Sequence, residues 1–140
     1  MAESFWVEVV AADALVWEGE ATVLNATTTE GEIGILAHHV PIIATLAPGS
    51  TAEVLTSDGN RLLTAVDGGF LAVSLTRAAI ISPYAQLADG IDIDQARSDL
   101  RSLQAKREQG DNSAETEMAY RRALAQVKTA DRLEAHPSSH

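Results

Sequence analysis

No cysteine occurs among the 140 residues, which excludes a disulfide framework and thiolate metal ligation and fits a reducing compartment. Lysine is nearly as scarce, present only at Lys106 and Lys128, and aromatic residues make up 4% of the chain. No stretch approaches the ~20 apolar residues that a membrane-spanning helix requires. The opening MAESFWVEVV lacks the basic region and long apolar run of a secretory signal. A soluble chain without a targeting segment is expected, reaching a membrane only through a partner. Also missing are a nucleophile elbow and the glycine-rich patterns G-x-x-x-x-G-K and G-x-G-x-x-G that cradle phosphates. The chain alone is therefore not expected to be an enzyme.

What is present is 46% hydrophobic residues and a formal charge of −10. At this length, roughly two-thirds of the unfolded surface can be buried, enough for one real core. The negative balance argues against nonspecific binding to nucleic acid or to anionic lipid, both of which reward clustered Lys and Arg. Its distribution divides the chain. Residues 1–85 hold ten acids and only Arg61 and Arg77 as bases, whereas residues 86–140 hold ten acids and eight bases.

The first 85 residues read as strands over 4–10, 14–17, 20–29, 51–56, 61–66, 69–75 and 77–82, rich in Val, Ile, Leu and Thr and bounded by Gly, Pro, Asp or Asn. Phe5, Val7 and Val9 alternate with Trp6, Glu8 and Val10, giving one apolar face. The Asp58-Gly59 pair suits the positive φ values of a tight hairpin turn. Many short strands with closely spaced turns point to an antiparallel sandwich. After Pro83 the composition shifts to Ala, Gln, Arg, Leu and Asp, and helix becomes the better reading. Ile93, Ala96, Leu100 and Leu103 recur at helical spacing over 94–108, with Asp92 or Asp94 as cap. Gly110 stops this helix, and Ser113 caps a second over 116–133 whose stripe is Tyr120, Leu124 and Val127. Ala119, Ala123 and Ala130 allow a neighbour to approach closely. The expected fold class is a mostly β sandwich (1–85) followed by an antiparallel α-helical hairpin (86–140). That hairpin has too narrow an apolar stripe to be very stable alone, so it must lean on the sandwich or on another protein.

The segment GEIGILAHHVPIIATLAPG, from Gly31 to Gly49, combines three glycines, two prolines and a histidine pair on an apolar backbone, which makes a shaped, rigid crossing. With GGFLAV from Gly68 to Val73, it resembles the epsilon subunit of the bacterial rotary proton-translocating ATP synthase over nearly the whole chain. Two departures stand out: Ala37 replaces a common proline, and His38 replaces a glycine, so His39 aligns with the family histidine. The resemblance implies a non-catalytic subunit of the central rotor stalk. Its sandwich would dock on the gamma subunit and the membrane c-ring, on the cytoplasmic face of the bacterial cell membrane. Its helices would extend toward the alpha/beta catalytic head and restrain hydrolysis. The interface residues so implied are Gly31, Glu32, Gly34, His38, His39 and Pro41. Arg101, Arg107, Arg121 and Arg122 are the helix cations implied to regulate.

Each chemical temptation has a plainer reading. Adjacent residues on a strand point to opposite faces, so His38-His39 without a nearby acid or Cys at ligand spacing is expected to hold no metal. Glu30 and Glu32 could be paired carboxylates, but exposed turn acids are common and no apolar pocket is evident to separate their pKa values. Ile93-Asp94-Gln95-Ala96-Arg97-Ser98 resembles the motif with which some epsilon subunits bind ATP. Ile93, Asp94 and Arg97, joined by Arg122, would then form a nucleotide site with Arg97 toward phosphate. Ser98 departs from the motif alanine, and Ala88, Gln104 and Gln126 stand where nucleotide-binding relatives carry a glutamate and arginines. No resident cofactor is expected, and regulatory ATP would bind weakly. The plainer account has Asp94 capping the helix while Arg97 and Arg101 pair within it. Two other classes, a free nucleotide-sensing module and a small metal-dependent enzyme, lack complete residue sets.

Overall fold

A computed structural model describes residues 3–135, in which nine strands form one continuous sheet that folds over on itself. The strands are β1 (Phe5–Ala11), β2 (Ala14–Thr28), β3 (Gly31–Ile35), β4 (Ile42–Thr45), β5 (Ser50–Thr56), β6 (Arg61–Val66), β7 (Phe70–Val73), β8 (Arg77–Ser82) and β9 (Ala85–Leu87). Their order is β4-β7-β8-β1-β2-β5-β6-β9, with β3 also paired to β2. A 3-10 turn at Ala88–Gly90 leads to helices α1 (Ile93–Glu108) and α2 (Ala114–Ala135).

The long β2 builds the sandwich. Its first half pairs with β1 and its second half with β5 and β3, so one strand serves both layers. The runs expected at 14–17 and 20–29 are therefore a single strand; Gly19, over which the Trp17 ring lies, does not interrupt it. A register shift between Ala21 and Val23 marks where it passes from one set of partners to the other. One pairing departs from the antiparallel expectation, because β1 runs parallel to β8. The core holds side chains of β1, β2, β3, β5, β6, β7 and β8 together with Leu46, and no helical residue belongs to it. Phe5, Val7 and Val9 point inward as their alternation predicts.

The crossing from Gly31 to Gly49 contains two strands that its glycines and prolines concealed. β3 pairs with β2 and β4 pairs with β7, and the turn between them passes through His38 at φ +65°. That is the left-handed region in which glycine is at ease and a side chain is strained by about 1–2 kcal/mol, so a glycine there, as the resemblance led one to expect, would be relieved of that strain. The sheet also outlasts Pro83: β9 pairs with β6, so the boundary expected at residue 85 falls inside the last strand. The Ser57–Asn60 segment does join β5 to β6, although Gly59 alone of its residues takes positive φ.

Both helices begin where their caps predict. The Asp92 carboxylate accepts from the Gln95 amide at 3.1 Å, while Asp94 lies in the first turn. The Ser113 hydroxyl accepts from the Thr116 amide at 3.2 Å. Asp111 accepts from the Ser113 amide and the Thr116 hydroxyl, and these bonds hold its carboxyl below the usual aspartate range. α2 packs on β5 and β6, whereas α1 packs on α2 and buries only Ala96. The molecule is thus layered as sandwich, then α2, then α1.

Candidate functional site

Two surfaces carry the chemistry, and the first is apolar. On β4, β7, β8 and β1 the outward positions fall in register as two rows, Ile43-Ala72-Ala79-Glu8 and Thr45-Phe70-Ile81-Val10. Ile43 is 79% exposed, Phe70 53% and Ile81 47%. A groove of about 670 Å³ runs beside them, lined by Pro41, Ile43, Ala72, Ala79 and the Glu8–Arg77 ion pair. Leu36, Val40 and Leu75 extend the exposed apolar area toward the His38 turn. Monomeric proteins rarely leave such a contiguous patch in water without using it. β4 lies at one end of the strand order, and Pro41 immediately precedes it.

The second surface is the contact between α2 and the sandwich, and it is stitched by polar groups. Thr51 and Thr129 share a buried hydroxyl–hydroxyl hydrogen bond of 2.8 Å. Gln126 donates to the Tyr84 hydroxyl at 2.6 Å, and burial pushes that phenol above the usual tyrosine range. An Arg61 guanidinium nitrogen donates to the Arg132 carbonyl at 3.5 Å, and Arg132 also pairs with Glu32 at 3.5 Å. The Arg121 Nε donates to both Asp67 oxygens at 3.1 and 3.4 Å, with the Arg122 Nε 3.6 Å away. Small residues permit the approach, since the α2 positions buried here and against α1 are Thr116, Ala123, Ala125, Thr129 and Ala130. The Tyr120, Leu124 and Val127 stripe is only half-buried. Gly49 shows how close the helix comes: a Cβ on it would lie 3.0 Å from the Arg121 carbonyl oxygen.

Of the expected interface residues, Gly31, Glu32, Gly34, His38 and Pro41 are exposed, and His39 is half-buried with its Nδ1 2.7 Å from the Val40 carbonyl oxygen. Glu32 faces α2 through Arg132, so it belongs to the stitched surface as well as to the crossing. His38 pairs with Glu3. Among the described residues, the expected nucleotide cations are drawn to separate acids. Arg97 pairs across the hairpin with Asp131 at 2.6 Å and Glu134 at 3.8 Å, rather than within its own helix as expected. Arg122, nine residues before Asp131 and so about 13 Å away along α2, is drawn to Asp67 and stacks on Tyr84 with 5.1 Å to the ring centroid. Arg107 is likewise engaged, with Glu117 at 3.0 Å and over the Tyr120 ring at 4.0 Å, while Arg101 is exposed. Sequence reasoning missed Asp67, Tyr84, Thr51 and Thr129. Asp67 had a signal, a lone acid closing the apolar run before Gly68-Gly69.

The described residues thus make a β sandwich with an exposed apolar face, covered on its other side by a helical layer held by polar stitches, the architecture of a two-part β-plus-helical-hairpin subunit. Residues 4–88 match the family described as the beta-sandwich domain of the ATP synthase delta/epsilon chain. The ATP synthase epsilon chain of Cutibacterium acnes is 41% identical over 130 residues, covering 89% of this chain and 88% of the relative. That of Thermobifida fusca is 40% identical over 138 residues, covering 96% and 98%. Among solved structures, a chain of the Euglena gracilis mitochondrial ATP synthase (OSCP/F1/c-ring) superposes with a TM-score of 0.73 at 21% identity, over 95% of this chain and 82% of that one. A chain of the Tetrahymena thermophila mitochondrial central stalk and c-ring gives 0.52 at 12%, over 94% and 96%; both likenesses speak to fold. The chain belongs to the ATP synthase epsilon family, whose members are a subunit of that complex and not its catalytic one.

Proposed function

We propose that this chain is a central-stalk subunit of a proton-translocating ATP synthase, docking by its apolar sheet face on the gamma subunit and by the His38 turn on the membrane c-ring. The observation that supports this most is the exposed run of Ile43, Phe70 and Ile81 on the layer that carries no helix. Burying such side chains is worth about 1.5–3 kcal/mol each, a favourable contribution toward the cost of association. The chain makes and breaks no bond itself. Its α1–α2 hairpin regulates hydrolysis by leaving the sandwich and reaching toward the alpha/beta head, a change that needs two packings only a few kcal/mol apart. The polar α2 contact suits that role, since water and new partners can satisfy groups that an apolar contact would leave exposed. The complex holds the chain peripherally at the cytoplasmic face of a bacterial membrane.

Affinity purification from membranes tests the assignment: the alpha, beta and gamma subunits should co-purify, and Ile43→Glu with Phe70→Glu should lose them. Recovery of the chain without those subunits would overturn the reading. Truncation after Gly90, which keeps β9 in its sheet, should preserve assembly and raise ATP hydrolysis. A cut after Tyr84 would remove a strand as well as the helices. Regulatory ATP is the second reading carried forward. Its phosphates would have to draw Arg97 from Asp131 and Arg122 from Asp67, which predicts weak binding, further weakened by Arg97→Ala in calorimetric titration.

A further inference from the structure

Asp67 is 6% exposed and lies where three segments meet. It follows β6, its own amide donates to the Ser82 hydroxyl, and three residues later the chain enters β7. Its Oδ1 accepts from the Gly49 amide at 3.1 Å, the last residue of the crossing that contains β4. The same oxygen accepts from the Arg121 Nε at 3.1 Å, and the Arg122 Nε stands 3.6 Å from Oδ2. The Arg122 Nε is buried and has no hydrogen-bond partner of its own among the described residues. Two guanidinium groups of α2 are therefore organised around one carboxylate of the sandwich. Burial keeps water from screening that carboxylate, although Arg121, at 40% side-chain exposure, is partly screened. The other links described above differ in kind: Thr51–Thr129 and Tyr84–Gln126 are neutral, Arg61 donates to the uncharged Arg132 carbonyl, and Arg132–Glu32 is an exposed pair.

We propose that Asp67 is the latch of the hairpin, a single buried carboxylate that ties Arg121 and Arg122 of α2 to the Gly49 turn and whose loss frees the helices from the sandwich. This rests on the reading of the hairpin as a detachable element, and it names the group that sets the balance. Because β4 ends four residues before Gly49 and β7 begins three residues after Asp67, the latch sits at the root of two of the four strands of the apolar face.

The test uses the isolated full-length chain, so it does not depend on assembly with the synthase. With no native cysteine, Ser57→Cys on the sandwich and Lys128→Cys on α2 can be spin-labelled selectively, and pulsed distance measurements then report closed and open populations. Asp67→Asn keeps an acceptor for the Gly49 amide but removes the charge. It should raise the open-to-closed ratio roughly 10-fold to 100-fold, which is about 1.4–2.8 kcal/mol at 1.4 kcal/mol per tenfold. Arg121→Gln with Arg122→Gln, changed on the helix side where the sandwich fold is untouched, should open the hairpin similarly. Adding Asp67→Asn to that pair should add little. An unchanged distance distribution in both sets of variants would overturn the latch while leaving the stalk assignment standing. Full additivity would overturn it too, because it would make the two sides independent. If the synthase subunits failed to co-purify, the stalk assignment would fall while the distance data still decided the latch.

Discussion

Replacing Gly49 with alanine separates two effects that the structure joins at one residue. Gly49 has φ +57°, so alanine there is strained by about 1–2 kcal/mol, partly offset by about 0.4–1 kcal/mol from a stiffer unfolded chain. The new Cβ would also stand 3.0 Å from the Arg121 carbonyl oxygen and 3.6 Å from the Arg121 Cα. That carbonyl belongs to the middle of α2 and cannot retreat alone; the helix must move by a few tenths of an ångström. Such overpacking costs about 1–3 kcal/mol. Gly68→Ala is the matched control, since Gly68 has φ +75° with nothing within 4 Å of its would-be Cβ. Thermal unfolding should report the shared backbone strain in both variants. The open-to-closed ratio, read from the same pair of labels, should rise only in Gly49→Ala, by roughly fivefold to a hundredfold at 1.4 kcal/mol per tenfold. Equal ratios in the two variants would refute the claim that α2 rests directly on the Gly49 turn.

Two further outcomes follow from the stitched contact. Thr51→Val should leave the fully buried Thr129 hydroxyl unpaired and destabilise the hairpin by about 1–3 kcal/mol, whereas Thr51→Val with Thr129→Val should be nearly neutral; chemical denaturation of the four variants checks it. The Tyr84 phenol is raised, first by burial, against the lowering effects of Gln126 and Arg122. The folded state holds that proton more tightly than the unfolded state does. Its stabilising contribution is thus complete below the ordinary tyrosine value of about 10 and lost as pH rises through the higher folded value. The label distance should lengthen in an alkaline step that Tyr84→Phe removes.

The parts of the fold most legible in the sequence were those set by local pattern. Alternation at Phe5, Val7 and Val9 gave an inward face, and Asp92, Gly110 and Ser113 marked the helix ends because capping and positive φ depend on a few adjacent residues. What stayed hidden depends on distant partners. β3 and β4 sit among glycines and prolines that discourage a strand reading, and they exist because β2 and β7 offer them edges. The parallel β1–β8 pairing leaves no mark on either strand. At the surfaces, the His38 glycine position was visible from resemblance and acquired its reason only from φ. The apolar face needed four strands in register before Ile43, Phe70 and Ile81 became one patch. Arg97 is drawn to Asp131, thirty-four residues away, which no intrahelical spacing rule could show.

The contacts of α2 with the sandwich lie in sequence along one helix: Arg121 and Arg122, then Gln126, Thr129 and Arg132. Under a pull on the carboxyl end they are loaded one after another, like teeth of a zip, and not all together as in shear. Arg132 lets go first and the Asp67 pair last. Peeling of this kind needs little force, yet it reseals readily while its final tooth is held. In the central-stalk role proposed above, such a hairpin would tolerate jolts that fray the end of α2 and surrender as a whole only when the last contact opens.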